Sequence, residues 1–562
     1  MAAAPQGPPP VPAAAAAIAA LGATALFGAR HVDPLHTEWL MRGDFALHFL
    51  GWHLYRTSPW TLPLGATPHL IWPVGSSVGL TDSIPLASAL FKLLDPLLPP
   101  TFQFIGIWLV TCFALQGLFG ALLMRLVTPH PGRQLCGALL FVLSPPLAIR
   151  FGHAALAAHW VLLAALWLSL SEGADRPSWR RVGAWALLAG VTATIQPYLL
   201  RMVALLMLAA FGRPLMIEPR QFVRAAAHAA LGLGASWLGL WQSGSLIVPS
   251  AAGLTMGGFG GYSANLLTFI MPTEANTWLF PGPIRYASPP QYEGYAYLGL
   301  GLLMLALGAI VGGIVSRWRP APGRLARHVP LALALVVLTA LALGPTVTAG
   351  ARVLWSYDER IWGPLTTFRS SGRMIWPLYY ATVTAILFAV ARSRHRTATL
   401  ALAIALAVQA GDLSGMVPWI RTIGDYGYRD PLVSPVWTVA PRHYQRVVVV
   451  PSNLCAREGV LDLRPFLLLA GRERLAINAG ATARYDRRRA AEYCGELARD
   501  VAAGLRDPDA LYVMAPDVLP SPASAGDRVC GVADGVGVCV SAASYAQWRD
   551  EAPLALRELI VA

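Results

Sequence analysis

Charge is what this chain has least of. Asp, Glu, Lys and Arg together make up 13% of its 562 residues, about half the ~25% usual in soluble proteins. That is too little to coat a water-exposed surface of this size, which excludes a soluble enzyme. Lysine is almost missing: Lys92 is the only one, so the net charge of +13 is carried by arginine. In a soluble chain such an excess would point to nucleic acid. Here the arginines fall in short clusters between apolar runs, as in the cytoplasmic loops of membrane proteins, and no nucleic-acid partner is expected. A metal-ligand motif is lacking too. His31, His36, His48, His53 and His69 match no ligand spacing, so neither a bound metal nor a cofactor is expected, and only a weak dependence on a divalent metal stays open.

What is present is apolar sequence, 55% of the chain. At about 20 residues per membrane-crossing helix, the runs predict some eleven spans: 12–30, 101–127, 135–149, 154–171, 182–197, 198–212, 227–248, 296–315, 329–348, 375–391 and 398–415. Arginine clusters at 125–133, 176–181, 213–224, 317–327 and 392–396 then all fall on one face. By the positive-inside rule that face is cytoplasmic, with the N-terminus inside and the C-terminal region outside a cytoplasmic (inner) membrane. The expected division is a disordered Pro/Ala-rich segment 1–11, a membrane domain 12–415, and a soluble domain 416–562. The membrane domain carries outside loops 31–100, 249–295 and 349–374. In 416–562, apolar β-like runs at 446–451, 510–515 and 535–541 alternate with helical stretches near 461–474 and 486–506, which predicts a small α/β unit. The fold class is thus a polytopic α-helical membrane protein with a C-terminal α/β domain. Cys455, Cys494, Cys530 and Cys539 all lie in that domain, and an oxidising compartment would permit two disulfides, with the connectivity open.

The outside loops hold the residues suited to chemistry. In the first, Phe45, Phe49, Trp52 and Tyr55 recur at helical spacing, as in a helix lying on a membrane surface. Asp44 would begin that helix, where a carboxylate is favoured; read functionally, Asp44 or Asp82 is a general base for a hydroxyl nucleophile. Trp52 and Tyr55 either anchor at the interface or stack on a sugar face, and His48 is a further candidate to touch substrate. In the second loop Glu293, just before the eighth span, is an acid or an anchor. In the third, Arg369 and Arg373 are four apart and would share a face if helical, where they could hold a phosphate by paired hydrogen bonds. Snorkelling to lipid headgroups is the plainer reading. Arg150 and Arg201 could extend the same basic pocket.

Many spans, an acidic residue in the first outside loop, surface helices and a C-terminal outside domain together resemble the GT-C superfamily of membrane glycosyltransferases. The stretches GDFALHFLGWHLYRTSPWTLPLG, LTDSIPLASALFK, GGYSANLLTFIMP, YEGYAYLGLG and FRSSGRMIWP are more closely similar to an uncharacterised family of bacterial polytopic membrane proteins. The GT-C resemblance implies a polyprenyl-phosphate sugar as donor, an envelope glycan or lipid-linked acceptor, and inverting transfer at the outer face of the bilayer. Asp44 would then be the preferred catalytic base and Asp82 the reserve. Arg369 and Arg373 would hold the donor phosphate, with Glu293, Trp52, Tyr55 and His48 as further substrate contacts. Asp44 is flanked by Gly43 and Phe45, so the paired acids of many GT-C members are missing. The alternatives are a transporter or flippase of lipid-linked glycans, a non-catalytic subunit of a polysaccharide assembly machine, or a transferase for another phosphate-linked donor.

Overall fold

A computed structural model describes residues 10–248, 259–272, 285–315, 326–361, 363, 369–393, 397–456, 461–520 and 525–551. The expected disordered segment lies outside these up to residue 9, as do Arg317, Arg319, Arg324, Arg394 and Arg396 of the basic clusters. Contacts divide the chain into two compact units. The first comprises 1–34, 105–239 and 255–425; the second comprises 35–104, 240–254 and 426–562. The first outside loop therefore belongs to the same unit as the C-terminal region, and the unit boundary falls at 425/426, whereas the linear division placed it at 415/416.

The first unit is helical. A helix occupies each of the eleven apolar segments, but far fewer are long and apolar enough to cross a bilayer. Ile105–Arg125, Pro131–Gly152, Pro197–Met216 and Ser371–Ala391 qualify, and Thr397–Leu413 with Met416–Gly424, bent by 53° at their junction, makes a fifth if the pair counts as one span. Val11–Phe27, Ala154–Leu170, Leu300–Gly313 and Val329–Leu343 are apolar but shorter. At 1.5 Å per residue, helices of this length fall short of a hydrocarbon core about 30 Å thick. Helices thus stand at all eleven runs, and among the described residues four of them, or five with the bent pair, have the length and apolarity to span.

Their packing suits lipid surroundings. Leu307, Ile310, Val336 and Leu400 are each at least 60% exposed, which water would penalise and lipid would not. Between helices the contacts are made by small residues. A Cβ on Gly117 would press on the Ala15 carbonyl, and one on Gly120 on the backbone of Ala138. Such small residues let helices approach closely where no hydrophobic effect drives them together.

The second unit is built on a five-stranded sheet. Its strands are β1 (Arg446–Val450), β2 (Ala476–Ile477), β3 (Ala510–Met514), β4 (Arg528–Ala533) and β5 (Val536–Ser541), in the order β2-β1-β3-β5-β4. β1 runs parallel to β2 and β3; β5 runs antiparallel to β3 and β4. The three β-like runs in the sequence are β1, β3 and β5. β2 escapes a pattern reading because it is two residues long, and the Asn478 side chain prolongs its pairing by bonding the backbone N–H and C=O of Val449. Helices Arg464–Arg472 and Arg487–Ala502 provide the crossovers.

Helix Gly43–Thr57 also belongs to this unit. Its stripe of Phe45, Phe49, Trp52 and Tyr55 is fully buried, so it is covered by protein and does not lie open to a membrane surface. Core-facing and lipid-facing helices carry the same apolar period, which is why the sequence reading could not separate them. Trp52 packs edge-on against Phe104, and its indole donates to the Phe102 carbonyl at 3.3 Å.

The disulfides pair Cys455 with Cys494 and Cys530 with Cys539, while Cys112 and Cys136 are free. Cys530 and Cys539 are direct partners across β4 and β5, so this bond secures a hairpin. Cys455–Cys494 ties the end of β1 to a crossover helix over 39 residues. Peptide mapping without reductant should recover both pairs, and replacing Cys455 and Cys494 by Ser should cost the full chain about 2–4 kcal/mol, measured by denaturant unfolding.

Candidate functional site

Two groups of candidate residues are described, one in each unit. In the helical unit the centre is Glu293, which lies in the 3-10 turn Pro289–Gly294 and is 6% exposed. Arg150 begins the 3-10 turn Arg150–Gly152 that closes the span Pro131–Gly152, and Arg373 lies in the tight turn Ser371–Ile375 that opens the span to Ala391. Both arginines reach the same carboxylate. Arg373 forks onto it, with Nε to Oε2 at 2.9 Å and Nη2 to Oε1 at 2.7 Å, and Arg150 donates from Nη1 to Oε2 at 2.7 Å. Arg150 also donates to the carbonyl of Glu293 at 3.3 Å.

The local sequence makes this approach possible. A Cβ on Gly372 would collide with the Tyr262 carbonyl and with Gly294. Gly372 and Gly294, each next to its charged neighbour, let the two turns close on one another, and the Gly372 N–H donates to Tyr262 O at 2.8 Å. Aromatic faces complete the enclosure: Tyr198 lies 4.7 Å from the Arg373 guanidinium and Trp376 lies 5.1 Å from that of Arg150. The Nε of Arg150 and the Oγ of Ser371 are buried without a hydrogen-bond partner. Burial alone would raise the Glu293 carboxyl; the charges of Arg150 and Arg373 outweigh it and hold the group well below its ordinary 4.5. Among the described residues two guanidiniums meet one carboxylate here, which leaves one positive charge over, a setting that favours an anion.

Arg369 stands apart from Arg373. It is exposed and outside the helical turn, which begins at Ser371, and its guanidinium lies 4.8 Å from the Tyr262 ring. The helical face the two arginines were expected to share is therefore not formed, because Ser370 is non-helical (φ −86°, ψ 62°) and the Ser371 N–H turns back to the Arg369 carbonyl at 3.0 Å, which breaks the i, i+4 relation. A second interior network was not anticipated. His159 Nδ1 and Tyr380 OH are 2.8 Å apart, Gln116 donates to the same hydroxyl at 3.2 Å, and Ser144 meets Tyr379 and Tyr380. An amide and an imidazole inside apolar runs were the available signal.

In the second unit, helix Gly43–Thr57 carries four of the sequence candidates, Asp44, His48, Trp52 and Tyr55, over about three turns. Asp44 is exposed in its first turn, the position where a carboxylate favours the helix. His48 is buried, and one of its ring nitrogens lies within 4.8 Å of a carboxylate oxygen of Asp82. Asp82 is half-buried and left-handed, with φ +53°; its flanking hydroxyls, Thr81 and Ser83, bond each other at 2.7 Å. This loop can lie against the helix because residue 51 is glycine: a Cβ there would be driven into Thr81 and Ser83. An imidazole beside a carboxylate can relay a proton, and both groups are also of the kind that hold a divalent cation.

Trp52 and Tyr55 offer no open ring for a sugar. Both are fully buried; Tyr55 donates to Leu64 O at 2.9 Å and its ring lies 4.1 Å from the Lys92 ammonium. Trp60 lies against the same ammonium at 4.5 Å. Burial brings the Lys92 amine down to about 8. His53, likewise buried and next to Arg56, is brought down to about 4, so it is neutral at physiological pH.

Residues 16–414 match the model of a family described as a domain of unknown function, DUF6311, and residues 436–541 match the DUF6311 C-terminal domain. No curated protein and no solved structure matches the chain significantly.

Replacing Glu293 by Gln leaves two buried guanidiniums without their counter-charge and should destabilise the protein by about 3–5 kcal/mol. Because the folded carboxyl titrates below the unfolded one, its contribution is complete above about pH 4.5 and is lost as pH falls further. The melting temperature of wild type should therefore fall below pH 4.5 more steeply than that of Glu293→Gln. Gly372→Val, which separates the two turns, should lower it at every pH.

Proposed function

The chain belongs to the DUF6311 family, and from that premise we propose that it is a membrane glycosyltransferase. It transfers a sugar from a polyprenyl-phosphate donor to an envelope glycan or lipid-linked acceptor at the outer face of the cytoplasmic membrane. The observation that carries the reading is the Arg150–Glu293–Arg373 cluster. A buried, net positive pair of guanidiniums at the mouths of two apolar spans suits a phosphate whose lipid tail remains in the bilayer. Glu293 holds both arginines in position before the donor arrives, and the phosphate leaves against fixed positive charge, an electrostatic form of catalysis. Arg369, exposed above Tyr262, gives the phosphate a further contact at the surface.

The base in this reading is Asp82, acting with His48. A general base gains from partial burial and a hydrogen-bonding neighbour; Asp82 has the first and His48 within reach, whereas Asp44 is exposed in the first turn of its helix. The positive-inside pattern supports the topology, with eleven helices in the membrane, the short ones included, the N-terminus cytoplasmic and the sheet-containing region outside. A transporter of lipid-linked glycans is the second reading, favoured by the buried His159–Tyr380–Gln116 network, since interior polar groups line translocation paths.

The test is mass spectrometry of envelope glycans and polyprenyl-phosphate lipids in a deletion strain complemented with wild type, Asp82→Asn or Asp44→Asn, all shown to be inserted. We expect wild type and Asp44→Asn to restore a sugar-sized mass, and Asp82→Asn to leave it missing while donor lipid accumulates. Full complementation by Asp82→Asn would remove that residue from the mechanism. A deletion that shifts lipid-linked glycan from one leaflet to the other without changing its structure would favour transport.

A further inference from the structure

The second unit contains a cleft of about 360 Å³ that none of the roles above uses. One wall is a face of helix Gly43–Thr57: Gly43, Ala46, Leu47, Leu50 and Gly51 line it, at the i, i+3, i+4, i+7, i+8 spacing of a buried helical stripe. The opposite wall is the segment Leu461–Leu467, with Leu70 and Ala481 closing the cleft. Protein interiors pack to near-crystalline density. A face that would ordinarily be filled by large side chains is here kept open by two glycines and an alanine, and a space of this size is far larger than a packing defect.

Its chemistry is selective. The lining residues include no aromatic ring, so there is no platform for a sugar. The one charged pair at its edge is already engaged. Arg464 forks onto Asp462 at 3.1 and 2.7 Å, and donates to Met41 O at 3.0 Å and to the Tyr426 hydroxyl at 3.3 Å. Among the described lining residues no charge is left to bind a phosphate or carboxylate. Aliphatic side chains remain, which suit an unbranched or isoprenoid hydrocarbon chain. At one end Gly51 lines the cleft and also abuts Thr81 and Ser83, the neighbours of Asp82.

We infer that this cleft binds the hydrocarbon chain of a hydroxyl-bearing lipid and presents its hydroxyl to the Asp82–His48 pair, so that the acceptor is a lipid alcohol and not a soluble polysaccharide. The acceptor role rests on the transferase reading above; the binding of a chain does not.

The experiment uses purified full-length protein in lipid nanodiscs and a long-chain primary alcohol carrying a diazirine, crosslinked by light and mapped by peptide mass spectrometry. Label should appear in peptides containing 43–51 and 461–467. Ala46→Phe, and independently Leu463→Trp on the facing wall, should each reduce it roughly tenfold by displacing part of the chain; two variants guard against one failing to fold. Unlabelled alcohol should compete better than its methyl ether. Label confined to the apolar spans, or unchanged by both variants, overturns the inference. Equal competition by the ether marks the occupant as a bulk-lipid chain and overturns the acceptor assignment. Labelling that behaves as expected, in a protein whose deletion changes no glycan, removes the transferase reading and leaves the lipid site standing.

Discussion

The helical unit is organised around one buried carboxylate. Glu293 is too deeply placed to stay ionised alone, and it is ionised because Arg150 and Arg373 converge on it. Each partner comes from the end of a different helical segment, so the cluster fixes how those ends meet. It also explains two glycines: Gly294 and Gly372 follow or precede the charged residues and allow backbone-to-backbone approach. An uncharged core could be held by packing alone. An ion cluster of this kind, costly to break once formed, ties the geometry to a particular set of residues.

Among the described residues the cluster carries an excess of one positive charge, and the proposed phosphate-binding role draws on it. Two arginines meet one acid here, and the rings of Tyr198 and Trp376 lie against them, each such contact worth about 0.5–2 kcal/mol. The other basic groups contrast with this. Arg56 is engaged by Asp95 and the carbonyls of Pro99 and Pro100, and Arg133 by the carbonyls of Ala391 and Ser393. Those arginines fasten loops. Asp95 and Asp175 also each meet two arginines, but there one of each pair is at least half exposed, whereas Arg150 and Arg373 are both buried.

In the second unit the decisive feature is assembly from distant pieces. Helix Gly43–Thr57, the loop around Asp82 and the strand-and-helix region from 426 onward pack as one body. His53 reaches the Leu468 carbonyl across 415 positions of sequence, and Leu70 bridges Ile477 at the sheet edge. The residues of the first outside loop therefore derive their positions from a sheet that is made several hundred residues later.

By itself the sequence determined what depends on composition and local period. Helices stand at all eleven apolar runs, three strands stand where β-like runs were read, and a helix starts beside Asp44, because apolar spacing and backbone propensity act over a few residues. Length entered less faithfully, since the ends of apolar runs continue into loops and leave helices shorter than the runs. Only the tertiary structure decided what the polar residues do. Glu293, Arg150 and Arg373 are separated by 143 and 80 positions, and nothing local distinguishes an arginine that faces a carboxylate from one that faces lipid. The same holds for the stripe of Phe45, Phe49, Trp52 and Tyr55, buried against protein where its period would equally suit a membrane. Hydrophobic pattern sets which face is hidden; which neighbour hides it is a property of the folded chain.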